Sequence, residues 1–175
     1  MQLVSSLLFA RAQVLLSYTH FITPVNFANM HWGVVVVNVR SRTIRLFDPM
    51  PSQSRHGPIR EFFQEFFSQR ALAEANQGHD VSEAAKHAEQ WSFSANSDND
   101  ASPRQADGHS CGIISCKIIE ALLAGKDVSW KAVGMKAPLL SEEEAYQYRV
   151  KLHGVIRECA AEHAEAKNAE AHDPV

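Results

Sequence analysis

Cysteine is scarce in this chain, with 3 in 175 residues. Small secreted domains that depend on disulfides usually carry more cysteines, in even numbers. The first twelve residues include a short apolar stretch and an Ala-x-Ala ending, but they lack the basic start of a signal peptide. We therefore expect free thiols and a reducing compartment.

Long apolar runs and an excess of one charge are also missing. No run reaches the roughly eighteen apolar residues of a membrane span, so we expect no transmembrane helix. The net charge of -3 and the pI near 6.3 give no electrostatic reason to expect nucleic acid or an anionic membrane as partner. The His79/His87 and His163/His172 pairs lack zinc-site spacing. We expect neither a metal nor a cofactor.

The most informative stretch is the polar loop from Pro103 to Gly112, which leads directly into the apolar run 113–124. This pattern places the Cys111 thiol at a helix N-terminus, where unpaired amides and the helix dipole favour a thiolate. A lone cysteine at a helix start is more often a small buried hydrophobic residue. A catalytic interpretation therefore requires a base, an orienting group and an oxyanion donor elsewhere in the chain.

Four segments have the composition of strands. Residues 21–25 predict a short edge strand with a proline, and the continuous β-branched run 31–39 predicts a strand buried on both faces. The alternating segment 43–48 is its hairpin partner across a turn at 41–42. A further short strand is expected at 91–94. With 45% hydrophobic residues, the chain can bury one core of ordinary size.

Three helices are predicted. The first spans 58–75 and carries an apolar stripe that we expect to be core: Ile59, Phe62, Phe63, Phe66, Phe67 and Leu72. The second follows Cys111 and ends at Gly125. The third starts after a capping pattern at Ser141, and the chain beyond Cys159 is expected to fray.

Residues suited to cysteine-dependent acyl transfer lie at the ends of these elements. His31 opens the buried strand and Asp48 ends its hairpin partner, so an antiparallel pairing brings both to one end of the sheet. An imidazole fixed by a carboxylate is the base that a cysteine nucleophile needs. The oxyanion donors would be the backbone amide of Cys111 and the side-chain amide of Gln105.

This set of residues resembles the catalytic core of the ubiquitin-like-protein-specific cysteine proteases, the SUMO protease or sentrin-specific protease family. The resemblance rests on Gln105-x5-Cys111-Gly112, on His31-Trp32 and on Asp48, in the family's order, and it spans about residues 21–157. It implies an α+β, papain-like fold whose central, mostly antiparallel sheet is flanked by helices. The implied catalytic residues are those suggested above, with Trp32 binding substrate.

The resemblance also implies a substrate and a setting. Members cleave after the C-terminal diglycine of a ubiquitin-like modifier, so the expected partners are a SUMO-type modifier and its conjugates, with a monomeric enzyme in the nucleus or cytoplasm. Trp32 would form a wall of the diglycine tunnel, although a core role is the alternative. Cys116 and Cys159 are expected to be structural.

The chain departs from the family pattern in two places. Ser110 stands where the family often has Asp, and Asp107 stands where it often has Asn. We expect these changes to affect substrate preference rather than chemistry. Residues 1–20 contain no tryptophan to form the second tunnel wall, so they are interpreted as the remnant of an N-terminal lobe and the chain as N-terminally truncated. The catalytic domain is then 21–157, and 158–175 is an Ala/Glu/His-rich tail.

Two other functions remain open. The chain could bind a modifier without cleaving it, as a pseudo-protease, and the missing lobe is the reason to consider this. It could also be an acetyltransferase of the bacterial effector type, since those enzymes use the same order of His, carboxylate and Cys on a related fold. No basic cluster suggests a pocket for the phosphates of coenzyme A.

Overall fold

The computed structural model of the chain describes residues 15–96, 104–105, 107–125 and 139–171. After a short 3₁₀ turn at Leu15–Ser17, the helices and strands are, in chain order, β1 His20–Phe27, β2 His31–Asn38, β3 Thr43–Phe47, α1 Gln53–Asn76, β4 Ser92–Ala95, β5 Arg104–Gln105, α2 Cys111–Leu123, β6 Leu139–Leu140 and α3 Glu142–Ala171. Two further 3₁₀ helices, Glu83–Lys86 and Ala88–Gln90, lie between α1 and β4.

The main sheet has the order β1-β2-β3-β4. The β1–β2 and β2–β3 pairs are antiparallel, whereas β4 runs parallel to β3. The expected edge strand and central strand are both confirmed, and β1 is longer than predicted because it continues to Phe27. A separate parallel pair, β5 and β6, was not predicted, since two-residue strands carry no periodicity that could be detected.

Strand β2 is buried on both faces because a helix covers each. Val35 and Val37 pack with α1 residues in one cluster, whose helical members include Ile59, Phe63 and Phe67. Val34 and Val36 pack with α2 in a second cluster, through Ile114, Ile118 and Leu122. Each fully buried valine contributes roughly 1.5 kcal/mol or more relative to exposure. The continuous β-branched run therefore specifies a three-layer arrangement of helix, sheet and helix.

Helix α1 begins earlier than the sequence predicts. It starts at Gln53 and contains Pro58 inside its second turn, whereas the sequence pattern predicts a helix that starts at the proline. The amide of Arg55 bonds to the carbonyl of Ser52 at 3.0 Å, which holds the early turn in place. The predicted apolar stripe is also partly wrong. Leu72 is 38% exposed, and Phe62 and Phe66 are only partly buried.

The other two helices agree better with their predicted ends. Helix α2 starts at Cys111 and is followed by Gly125, whose positive φ of 71° favours glycine. At α3, the Glu144 amide donates to Ser141 Oγ and the Ser141 amide donates back to the Glu144 carboxylate. The prediction that the chain frays beyond Cys159 is wrong, because α3 continues to Ala171. Its Ala- and Glu-rich sequence favours helix and contains no proline.

The fold is therefore α+β, as predicted, with a central, mostly antiparallel sheet between helices and Cys111 at a helix N-terminus. The predicted features of residues 1–14 and 97–103 lie outside the described residues. Within the described ranges, none of the helices combines the length and apolar content needed to cross a bilayer.

Gly33→Ala is expected to destabilise the fold. A Cβ at this position would lie 3.0 Å from the carbonyl oxygen of Phe47 and 3.2 Å from the ring of Phe27. Since the oxygen belongs to the backbone of β3, relief requires the strands to shift, at a cost of about 1–3 kcal/mol. Urea unfolding should show the loss.

The matched control is Gly154→Ala in α3, where nothing lies within 4 Å of the added carbon. Removing a glycine from a helix interior should raise the free energy of unfolding by up to about 1 kcal/mol. Equal effects of the two substitutions would contradict the steric argument.

Candidate active site

His31 and Asp48 form a buried hydrogen-bonded pair. The register pairs Val34 with Phe47, so the next residue of the chain, Asp48, falls opposite Gly33 and close to His31. The Nε2 atom of His31 lies 2.6 Å from Asp48 Oδ1. His31 is 6% exposed and Asp48 is fully buried, so the pair is removed from bulk water.

Further donors hold the Asp48 carboxylate. The Met50 amide donates to Oδ1 at 2.9 Å, and Arg55 Nε donates to Oδ2 at 3.1 Å. Burial opposes ionisation of Asp48, but the hydrogen bonds from His31, Met50 and Arg55 outweigh it and lower the pKa of the carboxyl below its ordinary value of 3.8. Asp48 is therefore an anion at neutral pH.

A second side chain, His56, approaches the same carboxylate. Its Nε2 lies 3.9 Å from Asp48 Oδ2. Burial lowers the pKa of His56, and Arg55 lowers it further against the attraction of Asp48. His56 is therefore mainly neutral at pH 7, which leaves Arg55 as the cation that faces Oδ2.

The backbone of Asp48 is held by Asn96. The Asp48 amide donates to Asn96 Oδ1 and the Asn96 side-chain amide donates to the Asp48 carbonyl, both at 2.7 Å. Sequence reasoning missed Asn96, Arg55 and His56. For Asn96 the sequence carried no usable signal, since the residue after β4 lies beside the end of β3 only because the two strands pair in parallel. For Arg55 and His56, the misplaced start of α1 concealed the contact.

The imidazole of His31 is fixed in orientation. Because Nε2 bonds to Asp48, Nδ1 is the nitrogen that remains for a thiol. The ring of Phe27 stacks on His31 with centroids 5.6 Å apart. The Arg55 guanidinium in turn lies over the ring of Phe27, 5.6 Å from its centroid. One arginine thus supports both members of the pair, Asp48 directly and His31 through Phe27.

The start of α2 lies against the residue that follows His31. A Cβ placed on Gly112 would be 3.6 Å from the ring of Trp32, so the residue beside Cys111 packs close to the one beside His31. The thiol of Cys111 is largely buried, since the residue is only 6% exposed. Its backbone amide lies in the first turn of α2, where no intrahelical acceptor exists.

Gln105 is tied to the same region. Its backbone amide donates to the carbonyl of Pro49 at 3.0 Å, directly after Asp48. Its side-chain Nε2 donates to the carbonyl of Asp107 at 2.6 Å, which uses one of its two hydrogens. Among the described residues, no donor contacts the buried Oε1 atom. The amide is therefore anchored and still has a hydrogen to donate.

Trp32 is exposed, unlike the neighbouring residues His31 and Cys111. It is 42% exposed, between the buried residues His31 and Gly33. A ring that contacts the start of α2 on one side and solvent on the other is available to a ligand, which is unlike a core residue. Cys116 and Cys159 are exposed as well, and the structural role expected for both stays a prediction.

A buried His–Asp pair, with the residue after the histidine lying against the start of a helix that begins with cysteine, fits the arrangement of cysteine-dependent acyl transfer. Residues 9–164 match the model of the Ulp1 protease family, C-terminal catalytic domain. Since this match covers most of the sequence, the chain belongs to the Ulp1 protease family.

Among solved structures, the chain is similar to those of SUMO protease Ulp1. One structure, with the catalytic cysteine oxidised to a sulfenic acid, is 16% identical, with a TM-score of 0.49. Another, of the C-terminal Ulp1 protease domain in complex with Smt3, the yeast ortholog of SUMO, is 17% identical, with a TM-score of 0.48. Each alignment covers 75% of this chain and 49% or 48% of the other, so the chain spans about half their length. No curated protein matched.

Asp48→Asn is expected to lower stability in a pH-dependent way. Because the folded pKa of Asp48 is depressed, its contribution is present at pH values above about 4 and disappears as the pH falls through the folded pKa. At neutral pH the variant should lose about 1–3 kcal/mol, the cost of weakening a buried charged hydrogen-bond set. Urea unfolding at a series of pH values measures the difference.

The exposed Asp80→Asn provides the baseline for this series. The gap between wild type and Asp48→Asn should shrink on acidification below about pH 4, while the baseline variant follows wild type. A gap that is constant from pH 7 to pH 3 would contradict the ionised state of Asp48.

Proposed function

We propose that the chain is a cysteine peptidase that cleaves after the C-terminal diglycine of a SUMO-type modifier, in precursors or conjugates. The observation that carries the proposal is the buried His31–Asp48 hydrogen bond through Nε2, which leaves Nδ1 for the thiol of Cys111. Membership of the Ulp1 protease family supports the reaction class. The Ulp1 domain solved with Smt3 suggests the class of partner.

The proposed reaction begins with proton transfer from the Cys111 thiol to His31 Nδ1. The thiolate attacks the carbonyl carbon of the terminal glycine, and the carbonyl oxygen becomes an oxyanion. The amide of Cys111 and Nε2 of Gln105 donate hydrogen bonds to this oxygen. His31 then donates its proton to the leaving amine, such as a lysine side chain, as the C–N bond breaks.

Hydrolysis of the thioester completes the cycle. His31 takes a proton from water, the hydroxide attacks the carbonyl carbon, and the thiolate leaves as the modifier carboxylate forms. Asp48 stays ionised throughout and stabilises the imidazolium, as its depressed pKa allows. Arg55, on the far oxygen of Asp48, keeps the carboxylate oriented toward His31.

Trp32 accounts for the choice of glycine in this proposal. Glycine has no side chain to hold, so the site must bind an extended backbone against flat walls. The half-exposed ring of Trp32, beside His31 and against Gly112, is placed to form such a wall. A substrate residue with a Cβ would be pushed away from the Trp32 ring. Its carbonyl carbon would then lie farther from the Cys111 thiolate.

A second candidate function is binding of the modifier without turnover. The observation that favours it is the burial of Cys111, which is 6% exposed. A modifier with a C-terminal electrophile distinguishes the two functions, because only a reachable thiolate forms the covalent adduct. Mass spectrometry should detect the adduct at Cys111 for a peptidase and no adduct for a binding module.

Cys111→Ala should abolish cleavage of a modifier conjugate while leaving the fold intact. Loss of one sulfur from a cysteine at the helix start leaves a small cavity, so the free energy of unfolding should fall by about 1–2 kcal/mol at most. Gel-based cleavage assays measure the activity. The matched control is Cys159→Ala, an exposed thiol on α3, which should retain full activity. Turnover by Cys111→Ala above a few per cent would refute the nucleophile assignment.

Gln105→Ala should reduce kcat by about 10²-fold to 10³-fold with little change in KM, since its amide bonds mainly the developing oxyanion. The measurement is steady-state kinetics on a fluorogenic modifier. The exposed Gln90→Ala is the control and should match wild type. A rise in KM alone would assign Gln105 to substrate binding in the ground state.

A further inference from the structure

The loop before Cys111 is held by the carboxylate of Asp107. Its Oδ1 accepts the amides of His109 at 2.9 Å and Ser110 at 2.7 Å. Its Oδ2 accepts the hydroxyl of Ser110 at 2.6 Å. Three hydrogen bonds to one side chain thus determine the backbone conformation of the two residues that precede the nucleophile.

Ser110 links this loop to helix α3. It is 1% exposed, and its Oγ accepts a hydrogen bond from Nη2 of Arg149 at 3.2 Å while it donates to Asp107. A cationic donor on the serine oxygen strengthens the bond that the hydroxyl makes to the carboxylate. Arg149, Ser110 and Asp107 form one chain of hydrogen bonds that ends directly beside Cys111.

The part of α3 that carries Arg149 is well anchored. Ala145 and Tyr148 are buried against the body of the domain, at 1% and 7% exposure. The hydroxyl of Tyr148 donates to Glu120 of α2 at 2.7 Å. Because Tyr148 fixes α3 against α2, the guanidinium of its neighbour Arg149 is held at the start of α2. This position is a consequence of helix packing, and no motif in the sequence indicates it.

The charges near Cys111 give this contact a chemical consequence. Burial opposes ionisation of Asp107, but the hydrogen bonds from Ser110 and His109 outweigh it and lower its pKa, so it is an anion at neutral pH. An anion near a thiol disfavours the thiolate. Around the start of α2, the described residues include Asp107 and His109 from the loop, Arg149 from α3, and His31 from β2, whose neighbour Trp32 lies against Gly112. Arg149 is the permanent cation among them.

We propose that Arg149 is a positioning residue for the nucleophile: through Ser110 and Asp107 it holds the loop that presents Cys111, and its charge offsets that of Asp107. The proposal rests on the function proposed above, because it concerns the same thiol. Arg149 need not touch the substrate. Its effect should be visible in the thiol itself, before any modifier binds.

Arg149→Met tests the proposal through the pH dependence of Cys111 alkylation by iodoacetamide, followed by peptide mass spectrometry. Loss of the cation should move the Cys111 profile to higher pH by about half a unit to one unit. The exposed Cys159 is the internal reference and should not move. Arg149→Lys, which keeps the charge, should restore most of the profile. Arg157→Met, an exposed arginine on the same helix, is the matched control.

Kinetics on a modifier substrate supply the second readout. Arg149→Met should lower kcat/KM by about 10-fold to 10²-fold, as expected when a nucleophile is slightly misplaced. If kcat/KM and the Cys111 profile both match wild type, the proposal is wrong. If activity and melting temperature fall together while the profile stays unchanged, Arg149 has only a structural role, and the proposal is wrong as well.

A sharper test moves the carboxylate from position 107 to position 110 of the hydrogen-bond network. Asp107→Asn removes the anion, and Ser110→Asp adds a second anion beside the first, so each single variant should lose activity. The double variant carries one carboxylate again, now at position 110, where Arg149 can bind it directly. It should recover most of the activity, and Arg149→Met should abolish this recovery. Absence of recovery in the double variant would overturn the network.

The alkylation experiment also separates this proposal from the proposed function. If the wild-type chain fails to cleave any modifier, the peptidase assignment fails, but the Cys111 profile of Arg149→Met still decides the role of Arg149. If the wild type cleaves and the profile does not shift, only the role of Arg149 is refuted.

Discussion

The hydrogen bond between His31 and Asp48 is the interaction on which the rest of the site depends. A carboxylate with no exposure is costly to bury unless donors surround it. Here His31, Met50 and Arg55 supply those donors, and Asn96 holds the backbone on the other side. The loop after β3 and the first turn of α1 are arranged around one charge.

Strand β2 connects this pair to the nucleophile. One of its faces packs on α1, which carries Arg55, and the other packs on α2, which begins at Cys111. The base therefore lies on the strand itself, its supporting Arg55 comes from the helix on one face, and the nucleophile comes from the helix on the other face. Trp32, the exposed residue after His31 on β2, lies against Gly112 at the start of α2.

Much of the site could be predicted because its residues lie at element ends. The continuous β-branched run predicted a strand with both faces covered, and the hairpin after it placed Asp48 near His31. The supporting residues could not be found in this way. Arg55 was hidden by Pro58, which suggested a later helix start, and Arg149 is one of several charged residues on α3. Their contacts join segments far apart in sequence, where periodicity carries no information.

The sequence by itself determined the chain order of the four main-sheet strands and the three helices, the hairpin that brings His31 near Asp48, and the helix that begins at Cys111. These features follow from local periods of two and 3.6 residues, from a turn and from a helix start. Only the tertiary structure decided the burial of Cys111, the placement of Arg55 on Asp48, and the link from Arg149 to Ser110. Those depend on how helices dock on the sheet, which is decided by packing over long separations in the chain.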